Sequence, residues 1–133
     1  MRPQGFPASL RLKKRREFLF VQGRGKKIHL RNFLVFVTKG RSPRRGTASL
    51  PESLAEPPPT RIGVTVTRKI GNAVARNRIK RLIREGFRRR RRDFAPGLDI
   101  VWVAKRGASA IHYSDVLAQI DDLLRRLGAG GRP

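Results

Sequence analysis

RIGVTVTRKIGNAVARNRIKRLIREGFR, residues 61–88, carries both periodicities from which a small α+β domain is built. Over residues 61–67, Ile62, Val64 and Val66 alternate with Gly63, Thr65 and Thr67. Side chains along a strand point to opposite faces in turn, so this alternation predicts a half-buried strand. Gly71-Asn72 marks a turn or helix start, and Gly71 is expected to let the backbone turn and approach a ligand closely. Beyond it, Ala75, Ile79, Leu82, Ile83, Gly86 and Phe87 recur at steps of three and four. Such steps line one face of a helix and leave Asn77, Arg81, Arg84 and Arg88 on the other.

Working outward, the aromatic and β-branched run NFLVFVT at 32–38 predicts a strand, expected to pair antiparallel with 61–67. Its alternation sets Phe36 and Leu34 opposite Phe33, Val35 and Val37, on two faces that the alternation alone does not assign to core or surface. Upstream, Leu10, Lys14, Phe18 and Val21 suit a short helix ended by Gly23 or Gly25, and a further short strand fits near 27–30. Downstream, Pro96-Gly97 stops the long helix, LDIVWVA at 98–104 predicts a strand, and 113–127 a last helix with Val116, Leu117, Ile120, Leu123, Leu124 and Leu127 inward. Residues 40–60 contain Pro43, Pro51 and Pro57 to Pro59, which cannot donate to a sheet, and are expected to form an exposed loop insertion. Residues 1–9 and 128–133 lack periodicity and are expected to be disordered tails. The expectation is one domain over 10–127, an α+β fold with helices packed on a small mixed sheet.

Charge limits the function. The 133 residues hold 32 Lys and Arg against 9 Asp and Glu, a net +23. A surplus of this size calls for a polyanionic partner. Arg outnumbers Lys 24 to 8, which favours planar, bidentate contacts to phosphates and bases. No run reaches the roughly 18 apolar residues of a membrane span, and the N-terminal region lacks the apolar core of a signal peptide. The expected location is therefore the cytoplasm, with no membrane partner. The absence of Cys removes disulfides, thiolate nucleophiles and Cys-based zinc sites. His29 and His112 stand far apart, and the neighbouring Asp121 and Asp122 diverge by ~100° on a helix, so they suit neutralisation of Arg125 and Arg126 better than acid/base work. No catalytic residue and no protein-borne metal site is expected. Residues 68–92 instead hold twelve Arg or Lys and one acid, Glu85. Like charges at i, i+4 repel by a few tenths of a kcal/mol per pair, and a phosphate backbone would relieve that repulsion.

Residues 61–88, centred on Arg76-Asn77-Arg78, resemble the RNR signature of the protein component of bacterial ribonuclease P. RLKKRREF at 11–18, FLVFV at 33–37, DIVWVAK at 99–105 and the final amphipathic helix agree, so the resemblance covers nearly everything from 11 to 127 except the Pro-rich loop. It implies an αβββαβα-like fold similar to the second domain of a small-subunit ribosomal protein, with a left-handed βαβ crossover against the usual right-handed preference. It implies that the RNA subunit performs hydrolysis with Mg2+, which it mainly binds itself. The protein, one per RNA, would bind that RNA and hold the 5′ leader of precursor tRNA in a cleft between the first helix and the sheet. By the same resemblance Arg68, Lys69, Arg76, Asn77, Arg78, Lys80, Arg81 and Arg84 contact RNA, while Phe18, Phe36, Thr65 and Thr67 line the leader cleft. The family often has an aromatic or aliphatic residue where this chain has Gln22. Asn77 also suits a helix cap. The competing expectations are a ribosomal or other basic RNA-binding protein without a role in cleavage, a protein-only nuclease, and a DNA-binding architectural protein.

Overall fold

The computed structural model describes residues 11–12, 14–39 and 59–131. In chain order these form α1 (Arg15–Arg24), β1 (Lys26–His29), β2 (Phe33–Lys39), β3 (Arg61–Thr65), α2 (Ala73–Arg90), β4 (Leu98–Ala104) and α3 (Tyr113–Gly131), with short 3-10 turns at Arg91–Asp93 and Ala108–Ala110. The tail at 1–9 and the loop at 40–58 lie outside the described residues. Helix, three strands, helix, strand, helix is the order expected from the sequence.

The four strands form one sheet in the order β1-β2-β4-β3, with β3 parallel to β4 and the other neighbours antiparallel. The expected pairing of 32–38 with 61–67 is therefore wrong, because β4 lies between them. Ile100, Val101 and Trp102 are consecutive and all buried, which requires cover on both faces and fits an interior strand. Joining β3 to β4 in parallel needs a crossover, and α2 supplies it. β3 also ends at Thr65, two residues early, since the Thr67 carbonyl accepts the Ile70 N–H at 3.0 Å in a turn. On the free edge of β3, Arg11 bridges to Ile62 and the Leu12 N–H donates to the Ile62 carbonyl at 2.8 Å. This partly covers an otherwise unpaired edge.

One face of the sheet carries the main core. Phe33, Val35, Val37, Ile62, Val64, Ile100 and Trp102 pack beneath Ile79, Ile83 and Phe87 of α2 and Val116, Ile120 and Leu123 of α3. Phe33 meets Trp102 edge to face at 5.4 Å. Gly86 lets the two helices touch, because a Cβ there would lie 2.6 Å from Ile120 Cδ1. Asn72 caps α2, its Oδ1 accepting the Ala75 N–H at 2.9 Å. The expected role of Gly71 in turning the chain is not needed, since only Gly97 and Gly107 have positive φ among the described residues. α3 extends to Gly131, past the Leu127 at which the sequence reading stopped it. Glycine weakens a helix by about 1 kcal/mol without blocking its hydrogen bonds, and the first true breaker is Pro133.

The opposite face bears three rows fixed by strand register: Arg61, Asp99 and Thr38; Gly63, Val101, Phe36 and Lys27; Thr65, Val103, Leu34 and His29. α1 packs against β2 and β4 here, with Leu12, Val21, Phe36 and Val101 as a second apolar cluster. Its place is set by Arg61, which donates to both Asp99 oxygens at 3.0 and 2.9 Å and to Glu17 of α1 at 3.2 Å. The bond to Asp99 raises the Arg61 pKa above its usual value, against the opposing effect of burial. Asp99→Asn is expected to cost about 1–2 kcal/mol, since it weakens a charge-assisted pair that is only partly exposed to water. Thermal unfolding will read this as a melting temperature lower by several degrees, and an unchanged value would reduce the triad to a surface pair.

Candidate nucleic-acid interface

The third row of that face is only partly covered, with Leu34 and Val103 at the border of the α1 cluster. Leu34, Val103 and Thr65 are half-buried and His29 is exposed, so a groove with an apolar floor and polar ends runs beside the helix. Phe18 forms its wall and brings the end of its ring against Gly63, where a Cβ would come within 2.5 Å of Phe18 Cζ. Gly63 is thus required by a side chain from a helix more than forty residues away in sequence. Phe36 belongs to the same face but is only 9% exposed, under α1 and with the Lys27 ammonium 6.0 Å from its ring centroid. The structure therefore brings Phe18, Phe36 and Thr65 together, with Phe18 rather than Phe36 presenting its ring. Thr67 is exposed in the turn that follows β3. Gln22 is half-buried on the inward side of α1.

The basic residues of α2 divide among three directions. Arg76, Lys80 and Arg84, at steps of four, share a stripe. Arg84 lies close enough to Arg11 that burial and then the Arg11 charge lower its pKa. Nε of Arg11 and of Arg76 are buried and have no hydrogen-bond partner among the described residues. A phosphate placed between Arg11 and Arg84 would supply the opposing charge and acceptor oxygens. Asn77 and Arg81 are exposed on the outer surface, so Asn77 is not the cap; Asn72 is. Arg78 turns to the other side, where it donates to the Ile111 carbonyl at 2.8 Å and ties α2 to the segment before α3. Arg68 and Lys69 are exposed in the turn ahead of the helix.

Arg11 and Arg61 were not selected from sequence as functional. Arg11 looked like one charge in a basic run, and only its bridge to Ile62 carries it to the α2 surface. The expected neutralisation at the end of α3 is half right: Asp122 pairs with Arg125 and Arg126 at 3.0 and 3.4 Å, but Asp121 reaches across to Arg90 at 2.8 Å. No group of three or more His, Cys, Asp or Glu that could hold a metal ion occurs among the described residues. No helix of the described residues is long and apolar enough to cross a membrane.

The chain was compared with known families, proteins and structures. The family model described as Ribonuclease P matches residues 6–128. The ribonuclease P protein component of Desulfovibrio desulfuricans is 40% identical over 129 residues, covering 96% of this chain and 89% of the relative. That of Geobacillus kaustophilus is 36% identical, with 92% and 93% covered. Among solved structures, the RNase P protein from Thermotoga maritima superposes with a TM-score of 0.69 at 30% identity, covering 87% of this chain and 96% of that one. A Staphylococcus aureus RNase P protein mutant described as having defective mRNA degradation activity gives 0.69 at 26% identity, with 88% and 86% covered. The open groove, the basic helix and a match that runs through both elements lead to one assignment: this chain belongs to the ribonuclease P protein component family.

Proposed function

We propose that this protein is the accessory subunit of an RNA-based endoribonuclease that removes the 5′ leader of precursor tRNA to generate the mature 5′ end. The RNA subunit performs the hydrolysis with Mg2+, which is held mainly by that RNA, and one protein serves each RNA in the cytoplasm. The basic surface of α2, with Arg68, Lys69, Arg76, Lys80, Arg81, Arg84 and the added Arg11, holds the RNA subunit through its phosphates. The groove beside α1 takes the single-stranded leader, with a base on Phe18, the apolar floor of Leu34 and Val103 beneath the next, and Thr65 and Thr67 on phosphates. The observation that carries this reading is the position of that groove. It is a half-buried apolar strip beside α1 on the sheet face opposite the main core, in a protein of net charge +23.

Phe18→Ala is expected to weaken precursor tRNA binding by about 1–3 kcal/mol and to leave mature tRNA, which has no leader, nearly unaffected. Phe36→Ala is expected to behave differently, costing roughly 3–5 kcal/mol of stability because the ring is packed under α1, and to depress both affinities together. Melting temperatures measured beside both affinities separate the two effects. A folded Phe18→Ala protein that discriminates precursor from mature tRNA as well as the parent would take Phe18 out of the groove's function.

A second reading takes up the mRNA degradation activity named in the Staphylococcus aureus mutant's description: that this chain itself also degrades mRNA. It requires a nucleophile activated by titratable groups, and it is tested below on the same preparation.

A further inference from the structure

The outward side of α1 does not have the composition of a solvated helix face. Glu17, Phe18, Val21 and Gln22 turn toward the sheet, while Arg15, Arg16, Leu19, Phe20, Gly23 and Arg24 are all exposed. Steps of four sort the exposed set into two parallel stripes, Arg15-Leu19-Gly23 and Arg16-Phe20-Arg24. Leu19 and Phe20 are 52% and 51% exposed and, with Val74, are the exposed large hydrophobic side chains of the described residues. A Cβ on Gly23 would meet nothing within 4 Å, so the surface beyond Leu19 is open. The Arg24 guanidinium sits 5.6 Å from the centroid of the Phe20 ring. The one acid of the helix, Glu17, is bonded to Arg61 on the sheet side, so α1 itself places no carboxylate on this face.

The centre of the surface is therefore apolar, and both ends are cationic. Successive members of a stripe are about 6 Å apart along the helix axis. An unpaired nucleotide matches this arrangement, because its base offers a π-face to the ring and its two phosphates offer acceptors to the guanidinium groups. A protein partner would need a wider apolar centre than two side chains provide. We propose that the outward face of α1 is a second RNA contact, separate from the groove on its inner side. Phe20 stacks on one unpaired base, and Arg16 and Arg24 hold the phosphates on either side of it. This inference rests on the protein being RNA-binding, and it adds a site that faces away from the leader.

The test uses the full chain carrying Phe20→Trp, with Trp102, which is 1% exposed, as a constant buried background. The probe is a mixed-sequence single-stranded 12-nucleotide RNA with an end label, so anisotropy reports binding while indole emission reports stacking at position 20. Emission is expected to fall as the RNA saturates the protein. Phe20→Ala is expected to weaken the outer-face binding step by about five- to 150-fold with an unchanged salt slope. Arg16→Ala with Arg24→Ala should instead flatten that slope by about 1.4, or 0.7 for each lost phosphate. RNA that binds by anisotropy but leaves the emission unchanged overturns the second contact and leaves the groove untouched. Emission that responds to anionic phosphatidylglycerol vesicles but not to RNA overturns it in favour of a membrane surface. Failure of the RNA to bind at all overturns both this contact and the RNA-binding reading.

Discussion

Precursor tRNA incubated with Mg2+ and the RNA-free protein is expected to stay intact, and to be cut at the mature 5′ end once the cognate RNA subunit is added. The chemistry of the chain leads to this result. Its two His are exposed and far apart on β1 and ahead of α3; of the described carboxylates, Glu17, Glu85, Asp99, Asp121 and Asp122 have Arg partners, Asp115 accepts the His112 backbone N–H at 2.9 Å at the start of α3, and Asp93 is exposed. A carboxylate held in an ion pair with Arg is a poor general base. The protein's contribution is then binding energy. At low Mg2+, where the RNA must fold and hold its substrate against its own charge, each leader base held in the groove should raise substrate affinity by about five- to 150-fold. High Mg2+ should shrink the advantage by screening the same phosphates. Single-turnover cleavage with and without protein across a Mg2+ series measures it. A nuclease-free preparation of the protein that alone cuts precursor tRNA at the mature end would refute the accessory role. Cleavage of an unstructured mRNA fragment alone would establish the second activity.

The other large effect is the salt dependence of binding to the RNA subunit. If six to ten phosphates are held, affinity should fall about 10³- to 10⁵-fold between 50 and 200 mM salt, along a straight log-log line. Replacing Arg68, Lys69, Arg81 and Arg84 together by Ala should flatten that line by roughly 3, at about 0.7–0.9 per contact. These four are chosen because Arg78 is bonded to the Ile111 carbonyl and its loss would disturb the packing of α2 against the segment before α3. Arg11→Ala should reduce the slope by about one further unit if Arg11 and Arg84 share a phosphate less than fully, and add nothing to the quadruple variant if Arg84 is the dominant donor. An unchanged affinity and slope in a folded quadruple variant would make α2 a structural helix only, and the RNA contact would have to lie elsewhere.

The position of the groove matters to both experiments, because under the proposed function leader and RNA subunit are held at once. The sheet separates them: α2 covers one face and edge, and the groove with α1 occupies the other. Arg61 connects the two regions. It belongs to β3, immediately before the crossover to α2, and it locks α1 through Glu17. A strand that carries both the tie to α1 and the link to α2 sets the distance between the two proposed RNA surfaces.

Much of this was determined by the sequence alone. Period two at 61–65, period three to four at 75–87 and the apolar run at 98–104 are local patterns, and local patterns identify elements because side-chain direction repeats with backbone geometry. The basic run of 68–92 and the RNR signature likewise mark α2 as the surface proposed to hold RNA, without any knowledge of its neighbours. What only the tertiary structure decided were the relations between distant segments. β2 and β3 both look like half-buried strands, and nothing local says that β4 lies between them; that follows from burying both faces of Ile100, Val101 and Trp102. Gly63 looks like a weak point in a strand until Phe18 is placed on it. Phe18 and Phe36 were equivalent as aromatic positions, yet α1 covers one ring and leaves the other at the groove wall. Arg11 acquires its partner Arg84 through a bridge to Ile62, and Arg61 its two carboxylates from α1 and β4. Burial, like-charge proximity and hydrogen bonding depend on which residues meet in space, and separation along the chain does not contain that information.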